Sequence, residues 1–341
     1  MKTISITAPR AAAVSQSPDP VPGPGEVLLR VGYIGLCGSD LATWRGINPL
    51  VSYPRIPGHE VSGIVIAVGP GVTTAHVGEA VLAIPYTACN QCSACAVGRF
   101  NCCRNNQTLG VQRDGALGGL VALPETKLLR VPGLDLRGLT LVEPLSVGFH
   151  AAARGRVSAG ETVVVIGCGA VGIGAVAGAA ALGARVVAVD VDPRKLALAT
   201  RLGAAAVIDS RAVDLALELA ALADGQGPAV LIEAVGNPVT FRLCVETVAF
   251  AGRVVYIGYA KEPVAYETKR IVQKELDILG SRNATPADFA AAGAWLAADA
   301  TRVDALVSRV VPFGEAEAAL AAWDAEPGAV TKILVDCAGA G

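Results

Sequence analysis

Two sets of residues in this chain have the makings of metal ligands. Cys89, Cys92, Cys95 and Cys103 put four thiols into one short stretch, while Cys37, the adjacent His59 and Glu60, and the distant Glu143 mix sulfur, imidazole and carboxylate. Four soft ligands that leave no place for water make a closed, tetrahedral structural zinc site, whereas a mixed set with a vacant position suits a zinc that must bind a substrate oxygen. Cys102 is a further thiol beside the fourth ligand and either could bind; Cys103 is taken. A lone Cys37 or His59 would more often be a buried structural residue. The neighbourhoods Cys37-Gly38-Ser39-Asp40, Gly58-His59-Glu60 and Glu143-Pro144, each read as a loop at a strand end, argue for ligands instead. His76 has no such setting and reads as surface, and His150 reads as packing.

A third motif, Gly167-Cys168-Gly169-Ala170-Val171-Gly172, follows an expected strand and opens an expected helix, the context that separates a dinucleotide fingerprint from a chance match. Gly167 permits the tight turn, Gly169 lets the backbone approach a pyrophosphate, and Gly172 lets helix and strand pack closely. The helix N-terminus then offers free N–H groups to phosphate. Asp190 lies eighteen residues beyond Gly172, at the end of the next strand. Its carboxylate there can accept from ribose hydroxyls and would repel a 2′-phosphate, which favours NAD over NADP. Asp192, followed by Pro193, is the expected helix cap, and Lys195 is a surface lysine within reach of the same ribose.

The elements that must position these groups fall into two rhythms. Residues 4–8, 26–33, 61–68 and 80–85 read as short strands, with Pro20, Pro22, Gly23, Pro24 and Gly25 punctuating between them. From about Leu145 strands alternate with helices. Strands are expected at 162–166, 185–190, 205–208, 229–233, 253–257 and 276–279, with helices at 170–182, 193–202, 213–223 and 239–250. Such alternation means βαβ units and a parallel sheet covered on both faces. A tail follows with a helix at 286–298, a strand at 305–311, a helix at 315–323 and a strand at 331–335; too short to be a domain, it is expected to fold back onto the first part.

Length and composition narrow the function classes. A chain of 341 residues holds two domains. A net charge of −2 provides neither a basic face for nucleic acid nor a polybasic membrane patch. The uncharged stretch 162–184 is long enough to span a bilayer, but five glycines between Gly167 and Gly178 interrupt it. The opening MKTISITAPR lacks the apolar run of an export signal, and nine cysteines spaced for metal fit a reducing cytoplasm.

The segments CGSD at 37–40, GHEVSG at 58–63, the four-cysteine ladder, EPLSVG at 143–148 and GCGAVG at 167–172 follow in that order. Together they resemble the zinc-dependent medium-chain dehydrogenase/reductase superfamily over essentially the whole chain. Glutamate at 143, where alcohol dehydrogenases proper carry cysteine, resembles the sorbitol and threonine dehydrogenase branch. The run Lys269-Arg270-Ile271-Val272-Gln273-Lys274-Glu275 with Gly280-Ser281-Arg282-Asn283 is similar to the sugar-acid group within it, such as L-galactonate or L-gulonate 5-dehydrogenases.

The resemblance implies an α/β protein in which a GroES-like β-rich catalytic domain, residues 1–144 and 283–341, joins a Rossmann doubly wound parallel-sheet domain, residues 145–282. It implies that Cys37, His59 and one or both of Glu60 and Glu143 hold the catalytic zinc, and that Ser39 is the hydroxyl of a proton relay. Relatives commonly carry histidine five residues after the zinc cysteine; here Ala42 stands there, so proton exit is assigned to Thr43, water or the cofactor ribose. Val171, Ser281 and Asn283 complete the cofactor set, and Arg282 is the candidate for a substrate carboxylate or hydroxyls, with Arg113 behind it. The expected reaction is hydride transfer from a secondary alcohol, a polyol or sugar acid, to NAD. L-Threonine 3-dehydrogenase is the alternative, and a non-catalytic nucleotide-binding protein of the same fold a third reading. A homodimer or homotetramer is implied, with the apolar segment 253–260 as a candidate contact.

Overall fold

The computed structural model describes residues 1–341, which form two compact units, Met1–Glu143 with Gly293–Gly341, and Pro144–Ala292. In the first, the eleven-residue strand Glu26–Leu36 is the organising element. It pairs antiparallel with Glu60–Val68, Leu120–Pro124 and the chain's last strand, Ile333–Asp336. Strands Ala80–Ala83, Leu128–Leu129 and Arg309–Pro312 complete a seven-stranded sheet, and Lys2–Ala8 forms a separate hairpin with Ala11–Gln16. The alternating residues Val27, Leu29 and Val31, and Ile34 beyond an irregularity between Val31 and Tyr33, are buried in the core of this unit with Val61, Val65 and Leu117. Register is tightly set by such one-sided burial, because a shift of one residue would turn every apolar side chain outward.

Two register pairs decide where chemistry sits: Gly35 faces Glu60 across one ladder, and Leu36 faces Ile333 across the other. A residue just before the last strand is thereby brought beside the start of the strand that follows His59.

The second unit holds a six-stranded parallel sheet. In spatial order the strands are Ala206–Asp209, Arg185–Asp190, Thr162–Ile166, Val230–Glu233, Arg253–Tyr256 and Asp277–Gly280. Numbered along the chain this is 3-2-1-4-5-6, the dinucleotide-binding order, in which the switch point lies between the first and fourth strands. Val163, Val164, Val165 and Ile166 are all buried, as expected of a strand covered on both faces. The glycine-rich apolar run is the helix Ala170–Ala181, buried from Gly172 to Ala179. Glycines on this helix and on the helix Leu136–Arg154 serve close packing: a Cβ on Gly178 would lie 2.9 Å from the Phe149 backbone, and one on Gly148 2.1 Å from that of Ala175. No helix is long and apolar enough to cross a membrane.

Several sequence expectations differ from what is observed: Gly38-Ser39-Asp40, read as a loop, opens the helix Gly38–Arg45 instead. Glu143-Pro144 is not a loop but lies inside the nineteen-residue helix Leu136–Arg154. The region 305–311 begins as the end of a helix, Thr301–Leu306, and the strand is confined to Arg309–Pro312. Asp299 accepts from the Thr301 amide at 3.0 Å and hydroxyl at 2.7 Å, which starts that helix before any strand can form. The hairpin strand Ala11–Gln16, mostly exposed and alanine-rich, carries too little apolar alternation to be foreseen.

Candidate active site

Cys37 follows the long strand directly and is the N-cap residue of the helix Gly38–Arg45. Its amide donates to the Asp40 carboxylate at 2.9 Å, and the other oxygen of Asp40 takes the Gly58 amide at 3.4 Å. One buried carboxylate therefore ties together the two segments that deliver Cys37 and His59. The ligand atoms of Cys37, His59 and Glu60 come within 4.8 Å of one another. All three belong to one unit, and His59 and Glu60 are buried.

The electrostatics of this cluster ask for a cation. Burial disfavours a charged His59 ring, yet Cys37, Asp40 and Glu143 outweigh it and push its pKa well above the ordinary histidine value. His59 Nδ1 is buried without a hydrogen-bond partner, its nearest acid oxygen, Asp40 Oδ1, being 3.9 Å away. The ring is also paired with the Cys37 thiol, and sulfur, imidazole and carboxylate gathered in this way are the donor types of a zinc site.

Glu60 and Glu143 are held differently. Glu60 receives the buried Lys332 ammonium on both oxygens, at 2.6 and 2.8 Å, and Lys332 also donates to the Leu36 carbonyl at 3.1 Å. Burial opposes the lysine charge, but Glu60, Cys37 and Glu143 more than compensate and raise its pKa. Gly35 makes room for this pair, since a Cβ there would stand 1.9 Å from a Glu60 oxygen. Glu143 projects from its helix to accept from the Tyr86 hydroxyl. Burial first, and then Glu60, raise the Glu143 carboxyl, while His59, Tyr86 and Lys332 pull it down.

Ser39, in the first turn of the helix capped by Cys37, has a buried hydroxyl without a partner. Thr43 stands one turn further on, but its hydroxyl donates to the Ser39 carbonyl at 2.8 Å and accepts from Asn48 at 3.1 Å. The two hydroxyls are not hydrogen-bonded to each other. Asp40, Tyr86 and Lys332 were not singled out from sequence; only the aspartate carried a signal, its place three residues after Cys37 in a capping position.

The four-cysteine loop closes on itself. Cys92 Sγ lies 3.5 Å from Cys95 Sγ and 4.0 Å from Cys103 Sγ, and Cys103 Sγ accepts from the Cys89 amide at 3.3 Å. The Arg104 amide, foremost among several donors, lowers the Cys92 thiol to about 6, while burial raises Cys95 to about 11. Four thiols within 4.8 Å of one another could hold a tetrahedral zinc. Cys102 is outside the group and faces Arg99 at 3.7 Å.

In the second unit Gly167 adopts φ +94°, a Cβ on Gly172 would lie 1.7 Å from the Gly167 carbonyl, and Gly169 has open space where its side chain would be. The helix that starts there has no side-chain cap, so its first amides are free for a phosphate. Asp190 accepts from the Cys168 amide at 2.7 Å and from the Val191 and Asp192 amides at 2.7 and 2.9 Å. It therefore braces the turn besides standing at the strand end. Asp192 caps the next helix by accepting from the Arg194 amide, and the charge of Lys195, on that helix, reaches the Cys168 thiol. Val171 is half-buried in the first turn, Ser281 Oγ is buried without a partner, Asn283 has φ +53°, and Arg282 is exposed. His150 is buried and bonded to Asp288 at 2.8 Å, a packing role as expected, and His76 is exposed.

Comparison with known proteins identifies the family. Residues 23–133 match the alcohol dehydrogenase GroES-like domain family, and residues 170–298 match the zinc-binding dehydrogenase family. L-Galactonate-5-dehydrogenase of Escherichia coli is 35% identical over 314 residues, 92% of each chain. A sorbitol dehydrogenase of Halalkalibacterium halodurans is 34% identical over 282 residues, 81% of this chain and 82% of the relative. Among solved structures, the E. coli alcohol dehydrogenase rspB, complexed with NADH, superposes with a TM-score of 0.92 at 28% identity, covering 98% of this chain and 99% of that one. Galactitol-1-phosphate dehydrogenase of E. coli superposes with a TM-score of 0.90 at 28% identity, covering 98% of this chain and 100% of that one.

Proposed function

The chain belongs to the zinc-binding medium-chain alcohol dehydrogenases, in the branch of the polyol and sugar-acid enzymes, and from that premise we propose that Cys37, His59 and Glu60 hold its catalytic zinc. It is a zinc- and NAD-dependent oxidoreductase that converts a secondary alcohol to the ketone. The observation that carries the site assignment is the convergence of those three ligand atoms within 4.8 Å.

When bound, zinc supplies Lewis acidity toward the substrate hydroxyl and NAD supplies the hydride acceptor. The chain's own residues do the rest. Asp40 fixes Cys37 against the His59 segment, and Lys332 grips both oxygens of Glu60 at the edge of the cluster. Glu143 and Tyr86 form the neighbouring buried wall. Ser39 Oγ, unpartnered and in the first turn after Cys37, accepts the proton that leaves the substrate hydroxyl. That proton passes from Ser39 to water or cofactor rather than along the helix, because the Thr43 hydroxyl is committed to the Ser39 carbonyl. Cys89, Cys92, Cys95 and Cys103 hold the second, structural zinc.

In the second unit the reading gives the pyrophosphate to Gly167, Gly169, Val171 and Gly172, the adenosine ribose to Asp190 and Lys195, and the nicotinamide end to Ser281 and Asn283. Open space at Gly169 and the uncapped helix support the first assignment. Arg282, just past the sixth strand, remains the substrate residue of this unit. The strand Asp277–Gly280 is an edge with Ile278 exposed, and Tyr259 and Val272 are 80% and 79% exposed nearby in sequence. Such a surface fits a homodimer or homotetramer. Nine free cysteines and no disulfide fit a cytoplasmic site.

The test is NADH formation by the purified chain with five- and six-carbon polyols and aldonates, with L-threonine as comparator. A rate on L-threonine that exceeds every polyol and aldonate would overturn the substrate assignment.

A further inference from the structure

We infer that Arg113 and Lys127 form an anion subsite beside the catalytic cluster, and that the alcohol this enzyme oxidises carries a carboxylate or phosphate at one end. The inference rests on the dehydrogenase reading above and narrows its substrate class.

Arg113 is half-buried, and its Nε has neither solvent nor a hydrogen-bond partner. Lys127 is half-buried at the end of a short turn, Glu125–Lys127. Neither makes an ion pair, although an acid follows or precedes each closely in sequence. Those acids are spent elsewhere: Asp114 is bonded to Arg55 at 3.0 Å and to the Ile56 amide at 3.2 Å. Glu125 accepts from the Thr74 amide at 2.7 Å and hydroxyl at 2.6 Å, and from the Thr73 amide. The two segments meet at consecutive residues, Lys127 at Ile84 and the Arg113 bridge partner Leu109 at Pro85, and burial lowers the pKa of both cations, with Arg113 lowering Lys127 further. Two like charges drawn partly out of water without a counter-ion are costly to fold, and an arriving anion relieves that cost.

Both residues are fastened to the segments that build the catalytic cluster. The Lys127 carbonyl takes the Ile84 amide at 2.7 Å, and the Leu109 amide, whose residue bridges to Arg113, donates to the Pro85 carbonyl at 3.0 Å. The next residue is Tyr86, whose hydroxyl rests on Glu143. Just beyond Arg113, the amides of Gly115, Ala116 and Leu117 bond to the carbonyls of Ile56, Gly58 and Pro57, which lead directly into His59. The approach is so close that a Cβ on Gly115 would stand 2.2 Å from the Pro57 carbonyl. Arg113 is thus held between the segments that deliver Tyr86 and His59. A guanidinium with an ammonium beside it recognises a planar carboxylate or a phosphate, and a neutral polyol leaves both charges unanswered.

The test is calorimetric titration of the NAD-saturated full chain with L-galactonate, galactitol 1-phosphate and sorbitol, with NADH formation measured in parallel. At least one of the two anions is expected to bind about tenfold more tightly than sorbitol. Arg113→Met and Lys127→Met should each erase most of that preference, and Arg113→Lys should keep part of it. Whichever anion shows the preference identifies the group as carboxylate or phosphate. The inference is overturned if no anion binds better than sorbitol, if both methionine variants keep the preference, or if Arg282→Met removes it instead. Sorbitol oxidation without anion preference would sink the subsite and leave the dehydrogenase reading standing. Anion binding that depends on Arg113, with none of the three compounds oxidised, would do the reverse.

Discussion

The ammonium of Lys332 sits 2.6 and 2.8 Å from the two oxygens of Glu60, in a place where both side chains are buried, across 272 residues of sequence. The pair exists because the strand Glu26–Leu36 has the Glu60 strand on one side and the last strand of the chain on the other. The tail therefore does more than close a sheet. It carries the buried ammonium that grips Glu60 beside Cys37 and His59.

Replacing Lys332 by methionine should cost about 3–5 kcal/mol of unfolding free energy, because a buried charge loses its partner. Adding Glu60→Gln to that variant should recover part of the loss, since the uncompensated carboxylate is then gone. Urea denaturation of wild type, both single variants and the double variant measures the coupling directly. A Lys332→Met protein within about 0.5 kcal/mol of wild type would mean that the pair contributes nothing to folding.

Metal content should separate the two ligand sets. Cys37→Ser and His59→Ala are expected to lower zinc from about two to about one ion per chain and to abolish turnover, with NADH binding retained. Cys103→Ser should also lose one ion, and in addition should expose residues 87–108 to protease, whereas Cys102→Ser should lose none. Elemental analysis with NADH fluorescence and limited proteolysis reads all four. Near-normal activity of either catalytic-site variant after dialysis against chelator would end the zinc mechanism.

Cofactor choice should turn on Asp190. Asp190→Ser is expected to shift the ratio of kcat/KM for NAD over NADP by about tenfold or more toward NADP. Because Asp190 also accepts from the Cys168 amide at 2.7 Å, the variant should weaken NAD binding as well as relax the discrimination. An unchanged NAD-to-NADP ratio would show that the carboxylate only braces the glycine turn.

Acid stability should depend on Asp288. Burial raises its carboxyl, but hydrogen bonds from His150 and from the Thr285 hydroxyl and amide outweigh that, and its pKa is lowered. A depressed folded-state value means that the stabilisation is fully present above the ordinary aspartate pKa, roughly 3.9, and is lost as pH falls through the folded-state value. Asp288→Asn should therefore lose about 1–3 kcal/mol near neutral pH, and its deficit should vanish in strong acid. Denaturation curves for the two proteins that stay parallel down to acid unfolding would contradict this.

What could be read along the chain was whatever depends on neighbours in sequence. The cysteine ladder is a local ligand set within fifteen residues, and the glycine turn is a local backbone requirement, so both were legible from residue type and spacing alone. The parallel sheet was legible for a related reason: VVVI and RVVAVD are apolar runs whose alternation with helices admits few topologies. The helix around Glu143 was missed because Pro144 looks like a helix end, yet here it is accommodated within a nineteen-residue helix.

Contacts between distant segments were decided only by the folded chain. Nothing in the order of residues says that Lys332 meets Glu60, that Tyr86 meets Glu143, or that Thr43 turns its hydroxyl to the Ser39 carbonyl instead of to the Ser39 hydroxyl. Nor does it say that Asp114 and Glu125 are engaged by other partners, which is what leaves Arg113 and Lys127 without counter-charges. Ligand type is a property of side chains and is written in the sequence. The charge that surrounds each ligand depends on strand register and burial, and those arise only when the long strand is flanked by partners from the two ends of the chain.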